Sequence, residues 1–197
     1  MAATALMDDI DITKDVELDR LDDELYEVVD GQRIEKPPSS AYSVRVGSRL
    51  FRKLGTFADD RDLGETVGEM LFRLPLAGET HRNRRPDVAY VSFARWPSNR
   101  PVPPKENAWD VVPDLAIEVT SPSDRAEAQR EKVLEYFRVG VRFVWVVYPN
   151  LRLIDVYETP TTIRVFGPDG TLAGDPVLPG FELSFADLFA PFAPLSA

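Results

Sequence analysis

The chain has 197 residues, 44% of them hydrophobic, which suffices for the core of one domain. It has no cysteine and one histidine, His81, which excludes disulfides, thiolate zinc sites, iron–sulfur clusters, a cysteine nucleophile and a multi-histidine metal centre. The net charge of −10 is concentrated at one end. Residues 1–30 carry eleven acids and two bases, and the rest 22 acids and 21 bases.

A nearly neutral body therefore follows an acidic arm. Residues 1–20 show no clean periodicity, and residues 1–22 are read as a mobile arm ahead of one domain over 23–197. A solvated tail is the default for such a charge run, and a cover for a basic groove or a partner is the alternative. The arm lacks a basic region followed by an apolar run, which argues against a secretory signal. No run approaches the roughly 18 apolar residues of a membrane span. A cytoplasmic location is expected.

Leu25 to Val29 and Gln32 to Lys36 flank Asp30-Gly31, a pair that favours the positive φ angles of a tight hairpin. Pro37-Pro38-Ser39-Ser40 ends the hairpin and can cap a helix over 41–54. Val44, Val46, Leu50, Phe51 and Leu54 give that helix an apolar side. Arg45, Arg49, Arg52 and Lys53 gather on another side, either as a solvated face or as a stripe facing phosphates.

Val67 to Leu74 reads as a strand, followed by an Arg-rich polar loop over 77–86 and a second strand over Asp87 to Ser92. Residues 94–113 hold five prolines and two tryptophans, a long loop of the kind that serves a site or covers a face. Asp114 to Thr120 is a core strand. Ser121-Pro122-Ser123-Asp124 breaks it and caps a helix that runs to about Val139, ended by Gly140. Val141 to Tyr148 is almost wholly apolar and reads as a central strand. Leu151 to Glu158 and Thr161 to Phe166 form an antiparallel pair, Gly167 to Gly170 a turn, and Phe185 to Phe189 a short helix. The class is α/β (α+β), a mixed, mostly antiparallel sheet flanked by helices, with an N-terminal β-hairpin.

Asp87, Asp114, Glu118 and Lys132 carry the chemistry. Two strand-borne carboxylates with a nearby amine can bind a divalent cation and activate water against a phosphodiester. Asp114 and Glu118 share a strand face but stand about 13 Å apart, too far to share one ion with ligands near 2.1 Å. A second acid must come from a neighbouring strand, and Asp87 is the best placed. The four residues from Glu118 to the strand end rise about 13 Å. The eight helical residues from Asp124 to Lys132 return about 12 Å. A helix packed back on its strand thus brings Lys132 level with Glu118. Asp87 and Glu118 would hold Mg²⁺ or Mn²⁺, with a strand carbonyl such as that of Val119, and Lys132 would position water or neutralise charge on phosphate. The plainer alternative is acids at strand ends and a helix lysine in an ion pair.

Arg85-Pro-Asp87-Val-Ala-Tyr-Val-Ser92 resembles one signature of the Uma-two family of restriction-endonuclease-type sequences in the PD-(D/E)XK nuclease superfamily. Pro113-Asp-Leu-Ala-Ile-Glu-Val-Thr-Ser-Pro-Ser-Asp124 resembles a second. Lys132, Glu135-Tyr136, Gly140-Val141 and Val144 to Pro149 continue it. Tyr26 to Gly31 with Glu35, and Leu178-Pro-Gly-Phe181, also match. The resemblance implies a restriction-endonuclease-like fold, an endonuclease acting on DNA with Mg²⁺ or Mn²⁺, and Asp87, Glu118 and Lys132 as the catalytic set, the first two as metal ligands. It implies that Lys132 replaces a lysine otherwise expected at Thr120. Relatives often carry a histidine near the first helix, where this chain has Ser40-Ala-Tyr-Ser43. Glu35 and Glu69 are further acids that could approach the ion, and Tyr136 is read as core. A decayed nuclease fold that binds nucleic acid or protein is the rival reading, and a homodimer with a shared groove a third.

Overall fold

In the computed structural model, residues 25–76, 82–122 and 124–191 are described. The acidic arm over 1–22 and His81 lie outside them. The hairpin is β1 (Tyr26–Val29) and β2 (Gln32–Glu35), and its turn has Asp30 at φ 52° and Gly31 at φ 71°. This is the positive-φ geometry that an Asp-Gly pair tolerates.

Helix α1 spans Ala41–Asp59, with Ser40 Oγ accepting from Ser43 N at 3.1 Å. Val46, Leu50, Leu54 and Ala58 are buried, at helical spacing. Two expectations for this helix are corrected. Val44 and Phe51, read on the apolar side, are not buried with the rest of it; they remain 55% and 41% exposed. Arg49 lies on neither a solvated face nor a phosphate stripe, and Arg45 is tied to the same end of the chain. Arg49 is buried and donates to the carbonyls of Asp187, Leu188 and Ala190 at 3.0, 2.8 and 2.8 Å, while Arg45 reaches Ala190 O at 3.0 Å. These carbonyls end the last short helix, where backbone acceptors lack helical donors.

The strand expected over 67–74 is two. They are β3 (Gly64–Gly68) and β4 (Leu71–Arg73), and the chain turns between them at Glu69, φ 50°. Next come β5 (Asn83–Arg84), β6 (Val88–Ser92), β7 (Ala108–Trp109) and β8 (Leu115–Val119). Helix α2 (Ala126–Arg138), β9 (Phe143–Tyr148), β10 (Leu153–Tyr157) and β11 (Ile163–Phe166) follow, then β12 (Thr171–Ala173), β13 (Glu182–Ser184) and α3 (Phe185–Phe189). The loop over 94–113 covers a face: Trp96 and Trp109 are buried, and their rings meet edge-on at 5.4 Å. The expected cap of α2 is also different. Arg125 occupies the N-cap without a side-chain bond, because Asp124 Oδ2 instead accepts from Ser121 N at 2.8 Å.

The strands form two main sheets rather than one. One has the order β2-β1-β5-β4-β7, the other β11-β10-β9-β8-β6-β3, and β12 pairs with β13. Helix α2 connects β8 to the parallel β9; the other pairings in the six-stranded sheet are antiparallel. Parallel neighbours need such a crossover. Alternation on the central strands divides two cores. Leu115, Ile117, Val119, Phe143, Trp145 and Val147 pack with α1 and α3. Ala116, Val144 and Val146 face the other way, with Val133 and Tyr136 of α2 and Phe72 and Trp109 of the second sheet. Glu118 lies one residue from Ile117 and Val119, so it points toward α2. Among the described residues, no helix is long and apolar enough to cross a membrane.

Candidate active site

The antiparallel pairing of β6 with β8 sets Val88 against Ile117. Continuing that register by one residue sets Asp87 against Glu118. Asp87 Oδ2 accepts from Val119 N at 2.5 Å, which fixes the carboxylate against the strand edge. Lys132 and Tyr136 are four residues apart on α2, hence on one face. Tyr136 donates its hydroxyl to Glu118 Oε1 at 2.7 Å, and Lys132 Nζ stands 3.5 Å from Glu118 Oε2. Asp87, Glu118 and Lys132 line one cleft of about 330 Å³, with Glu27, Lys36 and Arg84 beside them.

Asp114 stands apart from this cleft. Its Oδ1 lies 3.0 Å from Arg95 Nε, and its Oδ2 accepts from Ser92 N at 2.9 Å. It ties the long loop to the sheet. Thr120 donates its hydroxyl to Val147 O at 3.1 Å, so the residue in the expected lysine position is held by the neighbouring strand. Ser43 donates to Thr120 O at 2.9 Å, which fixes the start of α1 to the end of β8.

Several groups in the cleft carried no assigned role in the sequence. Glu27 comes from β1, is buried, and accepts from Lys132 Nζ at 3.0 Å, Arg84 Nη1 at 2.8 Å and Arg85 N at 3.1 Å. Lys36 sits just after β2. Its Nζ is 2.7 Å from Asp87 Oδ1, 2.7 Å from Glu69 Oε2 and 3.2 Å from Arg85 O. Glu69 therefore approaches Asp87 through an ammonium, while Glu35 lines the cleft mouth and is exposed. Where it is described, the Arg-rich segment read as a polar loop contains β5, and its arginines are buried. Arg82 and Arg84 are buried against Glu135, at 3.0 and 2.6 Å, and Arg84 bridges to Glu27. Tyr136 is core, as read, but its hydroxyl touches the site. Local pattern does not mark Glu27: alternation with Tyr26 and Val28 turns it away from the side they bury, as a solvent-facing acid would be, whereas it is buried by Lys132 and Arg84 on the other side.

Four carboxylates (Glu27, Glu69, Asp87, Glu118) thus crowd two ammonium groups, with Arg84 shared between Glu27 and Glu135. Burial raises the Asp87 carboxyl above its ordinary value, and the lowering effect of Lys36 does not cancel it. Burial likewise raises Glu118, with Asp87 and Glu27 adding repulsion and Lys132 opposing. Burial also works against the charge of Glu27, but Lys132, Arg84 and the Arg85 N–H outweigh it and lower its value. Lys132 is desolvated too, yet Glu118 and Glu27 hold its amine above its usual range. Two acids that burial disfavours as anions gain from a further cation.

Among the described residues, no three acids or imidazoles converge to hold a metal ion. The two oxygen-bearing side chains still suit Mg²⁺ or Mn²⁺. Mg²⁺ commonly takes one or two carboxylates and fills its shell with waters and substrate phosphate. The Lys36 ammonium against Asp87 marks a position where this fold already places positive charge.

The fold is similar to the crystal structure of a "putative nuclease" from Anabaena variabilis, at a TM-score of 0.71 and 22% identity, covering 83% of this chain and 89% of that one. No curated protein matches the chain. A family model described as "Putative restriction endonuclease" matches residues 15–186, and by that match the chain belongs to the Uma2 family of restriction-endonuclease-like nucleases.

Proposed function

We propose that this protein is a divalent-metal-dependent endonuclease of the cytoplasm that hydrolyses phosphodiester bonds in DNA. The observation that carries the reading is that Asp87, Glu118 and Lys132 line one cleft, with Lys132 held against Glu118. Asp87, Glu118 and the Val119 carbonyl would hold Mg²⁺ or Mn²⁺. Such an ion polarises a phosphate oxygen and lowers the pKa of a bound water. Lys132 stays protonated between Glu27 and Glu118 and offers its charge to the phosphate as negative charge builds there. Tyr136 and Glu27 orient Glu118 and Lys132 respectively. The attacking water gives up a proton to solvent as its oxygen forms the new bond to phosphorus, the bond to the leaving sugar oxygen breaks, and that oxygen takes a proton from solvent. The test incubates plasmid and linear DNA with Mg²⁺ or Mn²⁺, beside Glu118→Ala. Cleavage by the native protein alone is expected; equal cleavage by both, or by neither, sinks the reading.

One observation favours a second reading, a nuclease fold retained as a binding module. Lys36 already neutralises Asp87 and Glu69. Calorimetric titration with Mn²⁺ separates the two: binding that disappears in Asp87→Asn supports the enzyme, and no Asp87-dependent binding supports the module.

A further inference from the structure

A second groove, of about 320 Å³, opens beside the cleft and shares Ser39, Asp87 and Val119 with it. Its far wall is α1. Val44, Ser48 and Phe51 recur there at helical spacing, and Val44 and Phe51 are the two large apolar residues of that helix left 55% and 41% exposed. Its floor is Gly47, in the middle of α1. Glycine is the poorest interior helix former after proline. Gly47 is not held at positive φ, and a Cβ there would meet Val119 Cγ2 at 3.6 Å, an ordinary contact. Neither backbone nor packing demands glycine, so its effect is to keep the groove open. Arg52 is exposed one turn beyond Ser48 on the same helix and does not itself line the groove.

An aromatic residue, an aliphatic wall and an open floor, continuous with Asp87 and with Glu69 beside it, fit a nucleobase whose phosphate lies in the catalytic cleft. We propose that this groove is a stacking subsite for an unpaired base next to the scissile phosphate. The substrate class is then DNA that is single-stranded or locally unpaired, an inference that rests on the nuclease reading above. A base inside a duplex is stacked between neighbours and must be extruded to enter such a groove, whereas an unpaired one enters without that cost. Stacking on an aromatic ring tolerates every base, so the preference is for pairing state rather than sequence.

The test measures fluorescence anisotropy in Ca²⁺ with a single-stranded oligonucleotide, its blunt duplex and the same duplex carrying an unpaired bulge. The native protein is expected to bind the single strand and the bulge more tightly than the blunt duplex. Phe51→Ala and Gly47→Leu should each weaken those two about five- to a hundredfold, the range of one base–aromatic stack. Blunt-duplex binding should stay nearly constant and Phe51→Trp should retain the preference. A 2-aminopurine in the bulge should be quenched by the native protein and not by Phe51→Ala. Circular dichroism melts check that each variant is folded, and Gly47→Ala serves as a mild narrowing of the groove. Equal affinity for all three ligands, or equal losses on all three, overturns the subsite. So does a native dimer that Phe51→Ala dissociates with no change in DNA affinity, since a second copy then covers this face. Discrimination in binding without cleavage in Mg²⁺ or Mn²⁺ would keep the subsite and sink the hydrolytic reading; cleavage without discrimination would do the reverse.

Discussion

Tyr136 donates its hydroxyl to Glu118 Oε1 at 2.7 Å, one helical turn beyond Lys132, which faces the other oxygen of the same carboxylate. One face of α2 therefore holds both oxygens of the strand acid. The tyrosine is fully buried and its hydroxyl is pushed well above its usual pKa, by burial and by the nearby Glu118 and Glu27 charges. It acts as a fixed donor and keeps its proton.

Tyr136→Phe leaves Glu118 Oε1 without that donor while preserving the ring. An unsatisfied buried acceptor costs about 1–3 kcal/mol, so urea unfolding should show a loss in that range. Glu118 should also titrate still higher, and Mn²⁺ affinity near neutral pH should fall. An unchanged unfolding midpoint would show that the hydroxyl bond contributes nothing.

Arg49→Ala removes the donor to three carbonyls at the end of α3. With each charge-assisted bond worth about 1.5 kcal/mol or more, the expected destabilisation is about 3 kcal/mol or more. Arg49→Lys should recover only part of it, because all three bonds come from the one nitrogen Nη1 and the shorter lysine does not carry its ammonium to that position. Cleavage by the folded fraction should be unaltered. A fall in cleavage per folded molecule would mean that Arg49 contacts DNA, contrary to its burial.

Periodicity located most of the elements. The Asp30-Gly31 hairpin, the apolar β9 and the helix ended by Gly140 follow from local rules that tertiary structure did not override. The rise along β8 and the return along α2 also set Lys132 beside Glu118. What local rules miss is pairing between distant segments. Nothing near Lys36 reports that it will meet Asp87, 51 residues away, or that Arg84 will bury itself between Glu27 and Glu135. A single positive-φ residue, Glu69, divides what reads as one strand between two sheets. Arg45 and Arg49 read as part of a solvated basic face because their acceptors are carbonyls 138 to 145 residues later in the chain.

The raised Asp87 and Glu118 carboxyls give stability a slope with pH. Between the unfolded carboxylate value, about 4, and the raised folded values, the folded chain binds more protons than the unfolded one. Stability must then fall as pH rises through that window. Glu118→Gln removes one such group and should flatten the slope, leaving the variant at least as stable as the native protein at pH 7 while abolishing cleavage. Urea midpoints measured from pH 4 to 8 check this. A native protein whose stability rises steadily across that range would contradict the crowding of acids.

Lys36 carries the sharpest test of the metal reading. Its amine is raised: burial opposes its charge, and Asp87, Glu118 and Glu69 outweigh that. Lys36→Met strips the compensating charge from Asp87, and breaking a buried pair costs about 3–5 kcal/mol. The metal-free variant should therefore melt well below the native protein. A divalent cation bound at Asp87 would supply the missing charge, so the variant should gain more from added Mn²⁺ than the native protein does, in proportion to the logarithm of occupancy. Melting temperatures titrated against Mn²⁺ read this directly. Parallel curves for the two proteins would show that the ammonium and the ion do not share a position, and Asp87 would then be a structural acid, with its only cation already in place.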